Sequence, residues 1–290
     1  MRPIRLLAIP MLLLAGCAAS APAGDAPART AATQEQRYQA TTTVLQSRDH
    51  GPQLCLGMVA LSFPPQCGGL PITNWRWDQV EGAQSIGGTT WGTYKLVGTY
   101  DGTSFTVVHV DLVPPTPRPS AAERFKDEPK SPCPQPEGGW TVPDPARRSE
   151  RFMGPVARAA RSQPDFAGLW VSYLEPMGHN VAEDPGEFVL NVAFTGDLAR
   201  HESQLRPRWG GRLCVTRQQR SYRELLRIQR ELQGSVGTKL GLRVLGTGID
   251  ESANAVSLEA VVLDARARDA IDARYGADAV QATAALTPIA

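Results

Sequence analysis

The clearest alternation in the chain runs through WGTYKLVGTYDGTSFTVVHV, residues 91–110. Tyr94, Leu96 and Tyr100 fall on one face at period two with Gly98 between them, and Phe105, Val107 and His109 then alternate with Thr106, Val108 and Val110. This pattern predicts two half-buried strands, and Asp101-Gly102 predicts a type I′ hairpin turn joining them. PITNWRWDQVEG, residues 71–82, predicts a further strand with Trp75 and Trp77 on the same side. Beyond residue 165 the pattern changes. FAGLWVS, EFVLNVAFTG, RLCVTRQ, LRVLGTGID, NAVSLEAVVL and VQATAALTPI read as strands. Among them DLARHESQLRPRW predicts a helix capped by Asp197. SYRELLRIQRELQG predicts an amphipathic helix with Tyr222, Leu225, Leu226 and Leu232 on one face and a capping box of Ser221 and Glu224. DARARDAIDARYG predicts a helix from Asp264 to Gly276.

These segments predict an α+β chain of two modules. Residues 39–113 predict a small β-barrel of OB-like form. Residues 165–290 predict an α/β sandwich with helices packed on a mixed or antiparallel sheet. Between them, residues 113 to 165 hold 12 of the 24 prolines. A proline removes a backbone donor and fixes φ, so 114–164 reads as an interdomain linker without regular elements. Cys133 and Trp140 within it imply that part of it is tied down.

The N-terminus adds an address. The apolar run Leu6 to Leu14 contains Pro10 and spans nine residues, short of the roughly 20 needed to cross a bilayer. With Arg2 and Arg5 before it, it has the form of an export signal. Leu14-Ala15-Gly16-Cys17 resembles the lipobox of bacterial lipoproteins. The resemblance implies cleavage after residue 16 and acylation of Cys17, which places the chain on the outer, extracytoplasmic face of a cell membrane. Several buried acyl chains anchor stably where one does not. Residues 17–38, small and polar, then read as a flexible tether.

Composition narrows the function classes. Without Arg2 and Arg5 the chain carries 28 basic against 29 acidic residues. Near-neutrality offers no electrostatic footprint for nucleic acid and no polybasic attraction to a membrane, so the lipid supplies membrane contact. With Cys17 acylated, Cys55, Cys67, Cys133 and Cys214 remain, an even number that favours disulfides outside the cytoplasm. Three pairings are open. The 12-residue spacing favours Cys55 with Cys67, which leaves Cys133 to Cys214. A zinc site lacks any C-x₂-C pair. No cofactor is implied.

The order of elements after residue 165, and GTGIDESANAVSLEAVV followed by a helix, resembles the pro-domains of secreted streptogrisin- and alpha-lytic-type serine proteases. Asp250, Asn254, Val256 and Leu258 carry the match, and FAGLWVS resembles the opening strand of those pro-domains. The resemblance implies a module able to bind or inhibit an exported serine protease in trans, because no G-D-S-G-G nucleophile segment is present to be folded in cis. As a whole the chain resembles exported lipoproteins of the high-GC Gram-positive, actinobacterial kind.

Candidate chemistry is sparse. No G-x-S-x-G occurs, and LGTGIDES has Glu251 where a dinucleotide fingerprint needs its third glycine. Of the four histidines, His50 reads as a turn residue, His109 as a barrel residue and His201 as a solvated helix residue. His179, with Glu183, Asp184 and Glu187 in a Gly/Pro-containing loop, is the one candidate for metal or acid–base work. Arg220, Arg223, Arg227 and Arg230 form either a partner surface or a solvated face with i,i+4 partners Glu224 and Glu231. Trp75, Trp77, Trp91 and Tyr100 form either a platform for sugars or the filling of a barrel. The expected role is therefore non-catalytic: binding an envelope protein or glycan. Protease inhibition and an envelope enzyme built on His179 are the alternatives.

Overall fold

A computed structural model describes residues 35–60, 62–115, 117, 119–148, 150–175 and 188–289. The signal segment, Cys17, most of the tether, and His179 with its neighbouring acids lie outside the described residues. Gln36–Ala290 forms one compact unit. Its strands and helices, in order, are β1 (Arg37–Gln46), β2 (Gln53–Ala60), β3 (Gln66–Pro71), β4 (Gln84–Ile86), β5 (Thr89–Tyr100), β6 (Phe105–Leu112), α1 (Ala121–Lys126), α2 (Glu150–Arg161), β7 (Phe166–Tyr173), β8 (Phe188–Phe194), α3 (Leu198–Leu205), β9 (Leu213–Arg217), α4 (Tyr222–Gln233), α5 (Ser235–Lys239), β10 (Val244–Asp250), β11 (Ala255–Ala260), α6 (Ala265–Tyr275), β12 (Val280–Ala284) and β13 (Thr287–Ile289).

The first six strands and β13 make a seven-stranded sheet in the order β3-β2-β1-β5-β4, with β13 on β1 and β6 on β5. The expected OB-like barrel is overturned: among the described residues this sheet does not close. β3 ends at Pro71, which has no N–H to give, and the chain just beyond it meets β6 through one isolated bridge, Ile72 to Phe105, and single bonds from Thr73 and Asn74 instead of a strand ladder. The chain then turns into a one-turn 3-10 helix at Trp77–Gln79 instead of the expected strand. The inner face carries Val44, Leu54, Leu70, Leu96 and Phe105, each at most 1% exposed. Each such side chain contributes about 2 kcal/mol by burial. Val261 and Leu286 from the far end of the chain complete that core. The hairpin at Asp101 is longer than a two-residue turn. Tyr100 pairs with Phe105, so four residues make the connection, with Gly102 at φ 97°.

The remaining strands form two three-stranded sheets of the same connectivity. In the first, α2 leads to β7, which pairs antiparallel with β8; α3 then crosses to β9, parallel to β8. In the second, α4 and α5 lead to β10, antiparallel to β11, and α6 crosses to β12, parallel to β11. Helix, strand, antiparallel strand, helix, parallel strand is thus written twice. The first unit packs Leu190, Val192, Phe194 and Leu213 against Val156 and Ala160 of α2 and Leu205 of α3. The second packs Val256 and Leu258 against Leu225, Ile228 and Leu232 of α4 and Ile271 of α6.

The proline-rich stretch carries regular structure after all. α1 opens on a full capping box between Ser120 and Glu123. A 3-10 turn spans Pro145–Arg147, and α2 accommodates Pro155. The stretch is stitched to the first three-stranded sheet. Asp144 N donates to Gly210 O at 3.0 Å, and Gly210 N donates to Arg147 O at 3.1 Å. Ser131 Oγ donates to Asn191 Oδ1 at 2.7 Å, and a disulfide joins Cys133 to Cys214.

Candidate functional site

The two faces of the β7-β8-β9 sheet differ in kind. Leu169, Val171, Leu190, Val192, Leu213 and Val215 face the helices. On the opposite face Trp170, Asn191 and Cys214 stand in one row, paired in register across the three strands. Asn191 is fully buried. Its amide nitrogen donates to the Ser172 hydroxyl and to the carbonyls of Trp170 and Val189, and its oxygen accepts from Ser131. The Asn191 bond and the Cys133–Cys214 bridge together lay residues 129–133 across this row.

One end of that strap opens on a cleft of about 480 Å³. Its walls are Pro129, Lys130 and Pro132 of the strap, Trp170 of β7, Thr216 and Arg217 of β9, Gln218, and Ser252, Ala253 and Asn254 from the β10–β11 turn. Short-range chemistry shapes that turn. Asp250 Oδ1 accepts from Ser252 N, Ser252 Oγ and Ala253 N at 2.6 to 3.0 Å. Asn254 takes a left-handed φ of 53°, which Asn tolerates well. Its side chain exchanges two 2.8 Å bonds with the backbone N–H and carbonyl of Arg220. The turn rests directly on β7: a Cβ at Gly168 would stand 2.8 Å from the Glu251 carbonyl oxygen. Glu251 Oε2 accepts from Leu169 N at 2.5 Å. Burial pushes the Glu251 carboxyl above its ordinary range, against the opposing pull of the Leu169 N–H and Arg161.

Two residues of these walls each carry a polar atom that is shut off from solvent and has no partner among the described residues, Trp170 Nε1 and Gln218 Oε1. The Gln218 amide nitrogen donates to the carbonyls of Glu251 and Ser252 at 3.0 and 3.1 Å, which settles which end of the amide is which. Leaving such an atom unsatisfied costs about 1–3 kcal/mol. Lys130 Nζ donates to Phe125 O at 2.9 Å and lies 3.5 Å from the Phe125 ring centroid. Arg217 Nη1 donates to Thr195 O at 2.7 Å. Both cations are thus held by uncharged groups.

A second polar pair lies on the helical side. His201 is not solvated as expected but 1% exposed. Its ring stacks on Phe194 with centroids 3.7 Å apart, and Nε2 lies 2.8 Å from Asp165 Oδ2. His201 borders a cavity of about 330 Å³ that Ser162 also lines. Ser162 Oγ donates to Ala159 O at 2.8 Å, a bond within its own helix end. A Ser–His–Asp hydrolase needs the serine proton directed at the imidazole. The arrangement instead ties α3 to the start of β7.

The remaining sequence candidates scatter. Cys55 and Cys67 are bridged across the β2–β3 hairpin. Trp75 and Trp77 meet edge-on at 5.4 Å and pack against the core of the large sheet. Trp91 contacts Phe63, and Tyr100 contacts Tyr38, so the four aromatics form no single platform. His50 bonds Gly51 O within a turn. His109, expected inside a barrel, is exposed and pairs with Asp111 at 3.0 Å. Arg220 leaves the proposed arginine face: it precedes α4 and is 8% exposed. Arg227 pairs with Glu231 at 2.6 Å. The four residues of the pro-domain resemblance have folding roles here, Asp250 and Asn254 in the turn and Val256 and Leu258 in the core. Among the described residues no three His, Cys, Asp or Glu side chains converge as metal ligands, and no helix is long and apolar enough to cross a membrane.

No protein-family model matches the chain, and no curated protein matches it. The cleft residues Trp170, Gln218, Lys130 and Arg217 escaped the sequence reading. One signal was visible: a lone Asn191 in the apolar run FVLNVAF, a polar group that burial obliges to find partners.

Proposed function

We propose that this protein is a lipid-anchored, extracytoplasmic binding protein whose folded body takes its ligand in the cleft between the strap and the β10–β11 turn. The anchor half of the reading is supported by Leu14-Ala15-Gly16-Cys17 behind a short apolar run, and by two disulfides in the body. The observation that carries the binding half is the cleft of about 480 Å³ itself, where Trp170 stands together with the cations Lys130 and Arg217. Ligand sites place a few convergent polar groups in a concave wall in this way.

Each half has its own test. The wild-type protein should partition into detergent and the Cys17→Ser chain into the aqueous phase; equal partition refutes the anchor. For binding, the Cys17→Ser chain is labelled with ¹⁵N at its tryptophan indoles, and Trp170 is assigned through Trp170→Phe. A desalted envelope extract should move the Trp170 indole resonance, and an unmoved resonance refutes binding at the cleft.

A further inference from the structure

The outer face of the seven-stranded sheet, opposite its core, carries an apolar spot. Trp91 of β5 stands directly opposite Leu45 of β1 and Gln84 of β4, and residues opposite one another in a ladder project to the same side. Leu45 is 1% exposed. Ile86, on the same face and opposite Thr89, is 46% exposed. Phe63, from the connection between β2 and β3, meets the Trp91 ring edge-on at 5.8 Å and is itself 75% exposed, the most exposed large apolar side chain among the described residues. The Cys55–Cys67 bridge joins β2 to β3 beneath it. Pro64 and Pro65 follow it, which limits the backbone freedom of the connection. Arg48 lies against Gly88 in the β4–β5 turn, at the border of the spot.

We propose that this spot seats the folded body on a lipid bilayer, with Phe63 and Trp91 entering the headgroup region. This step rests on the anchor half of the reading above, which would hold the body at a membrane surface. Amphipathic aromatic rings concentrate at membrane–water interfaces, and a guanidinium beside them meets lipid phosphates. Size argues against a protein as the occupant. A stable protein interface takes roughly 20–30 residues a side, whereas Phe63, Trp91 and Ile86 are bordered by the polar Gln84, Thr89 and Thr93. A protruding ring needs no matching pocket to leave water in a bilayer. Reach is sufficient as well. Trp91 faces Leu45, eight residues along β1 from Arg37, which is about 27 Å of strand. The twenty residues from Cys17 to Arg37 span up to about 70 Å when extended.

The test uses the Cys17→Ser chain, which carries no acyl group. The probe is a vesicle of phosphatidylcholine and phosphatidylglycerol whose acyl chains are brominated just below the headgroup, since bromine quenches an indole only at short range. These vesicles should quench the tryptophan fluorescence of this chain, and Trp91→Phe in the same background should abolish the quenching. Phe63→Ser should raise the lipid concentration for half-quenching about tenfold. It should leave the unfolding midpoint unmoved, because Phe63 is exposed. Absence of quenching overturns the proposal, and so does equal quenching of the Phe63→Ser chain. Sedimentation of the lipid-free chain as a dimer that Phe63→Ser dissociates also overturns it, by assigning the spot to a second copy. Failure on vesicles leaves the anchor untouched, because detergent partition of the acylated chain tests that separately.

Discussion

Replacing Cys133 and Cys214 together with alanine should be the most damaging disulfide change in the protein. The bridge spans 81 residues of sequence and the Cys55–Cys67 bridge spans 12. A cross-link stabilises chiefly by denying the unfolded chain its loop entropy, which grows with the logarithm of loop length. That relation yields about 4.5 kcal/mol for the long bridge and about 2.8 kcal/mol for the short one. The long bridge also fastens the strap over the Trp170–Asn191–Cys214 row, where the Ser131–Asn191 bond is then left to hold residues 129–133. Equilibrium urea unfolding of the two double variants measures both costs. The long-loop variant should lose about 1.7 kcal/mol more than the short-loop variant, and its urea dependence should steepen as the unfolded chain expands. Its Trp170 indole should also show a weakened response to ligand, because Pro129, Lys130 and Pro132 are then held less firmly. A larger loss from the Cys55–Cys67 pair would refute the entropy argument. An unchanged Trp170 response would refute the role given to the strap.

Asn254→Ala should cost about 3 kcal/mol by chemical denaturation, from two lost bonds to Arg220 and a left-handed φ that alanine resists. Asn254→Gly, which relieves the φ but not the bonds, should recover about 1 kcal/mol; equal losses would show that φ is irrelevant. Leu225→Ala, at a fully buried position of α4, should cost about 2–5 kcal/mol, read from the unfolding midpoint. Glu251→Gln keeps an acceptor for Leu169 N–H and removes a carboxyl whose folded pKa is raised by burial. A raised carboxyl pKa favours folding at low pH and loses that contribution as pH rises through the folded value. The wild-type protein should therefore lose stability relative to Glu251→Gln between the ordinary glutamate range and neutrality, and a difference independent of pH over that interval would contradict the burial argument.

Period and capping located most elements after residue 165, because most of the strands and helices there bury an apolar side. The alternation through Tyr94 and Leu96 placed β5 for the same reason. Closure was not legible. Whether β3 reaches β6 depends on Pro71 and on the path after it, where the Trp75–Trp77 spacing of two mimicked a strand that is in fact a turn. VQATAALTPI read as one strand, yet Leu286 is fully buried and the chain breaks there, so β12 serves one sheet and β13 another. Asp197 was a plausible cap by type, but it sits at φ 47° and its carboxylate goes to Arg200 at 2.7 Å. His201 was misread because its burial comes from Phe194 and Asp165, both on other elements. The cleft was invisible for a like reason: its walls come from residues 129–132, 170, 216–218 and 252–254, and local pattern carries no information about such convergence.

The long pairing of β1 has a mechanical meaning. All ten of its residues, Arg37 through Gln46, face partners in β5, and Arg37 to Gln39 face β13 on the other side. Hydrogen bonds in an antiparallel ladder stand perpendicular to the strands. Tension entering at Gln36 along β1 therefore loads the rungs together, in shear, instead of opening them one at a time. A body pulled through that end resists as a unit, which is what the proposed N-terminal anchor would ask of it.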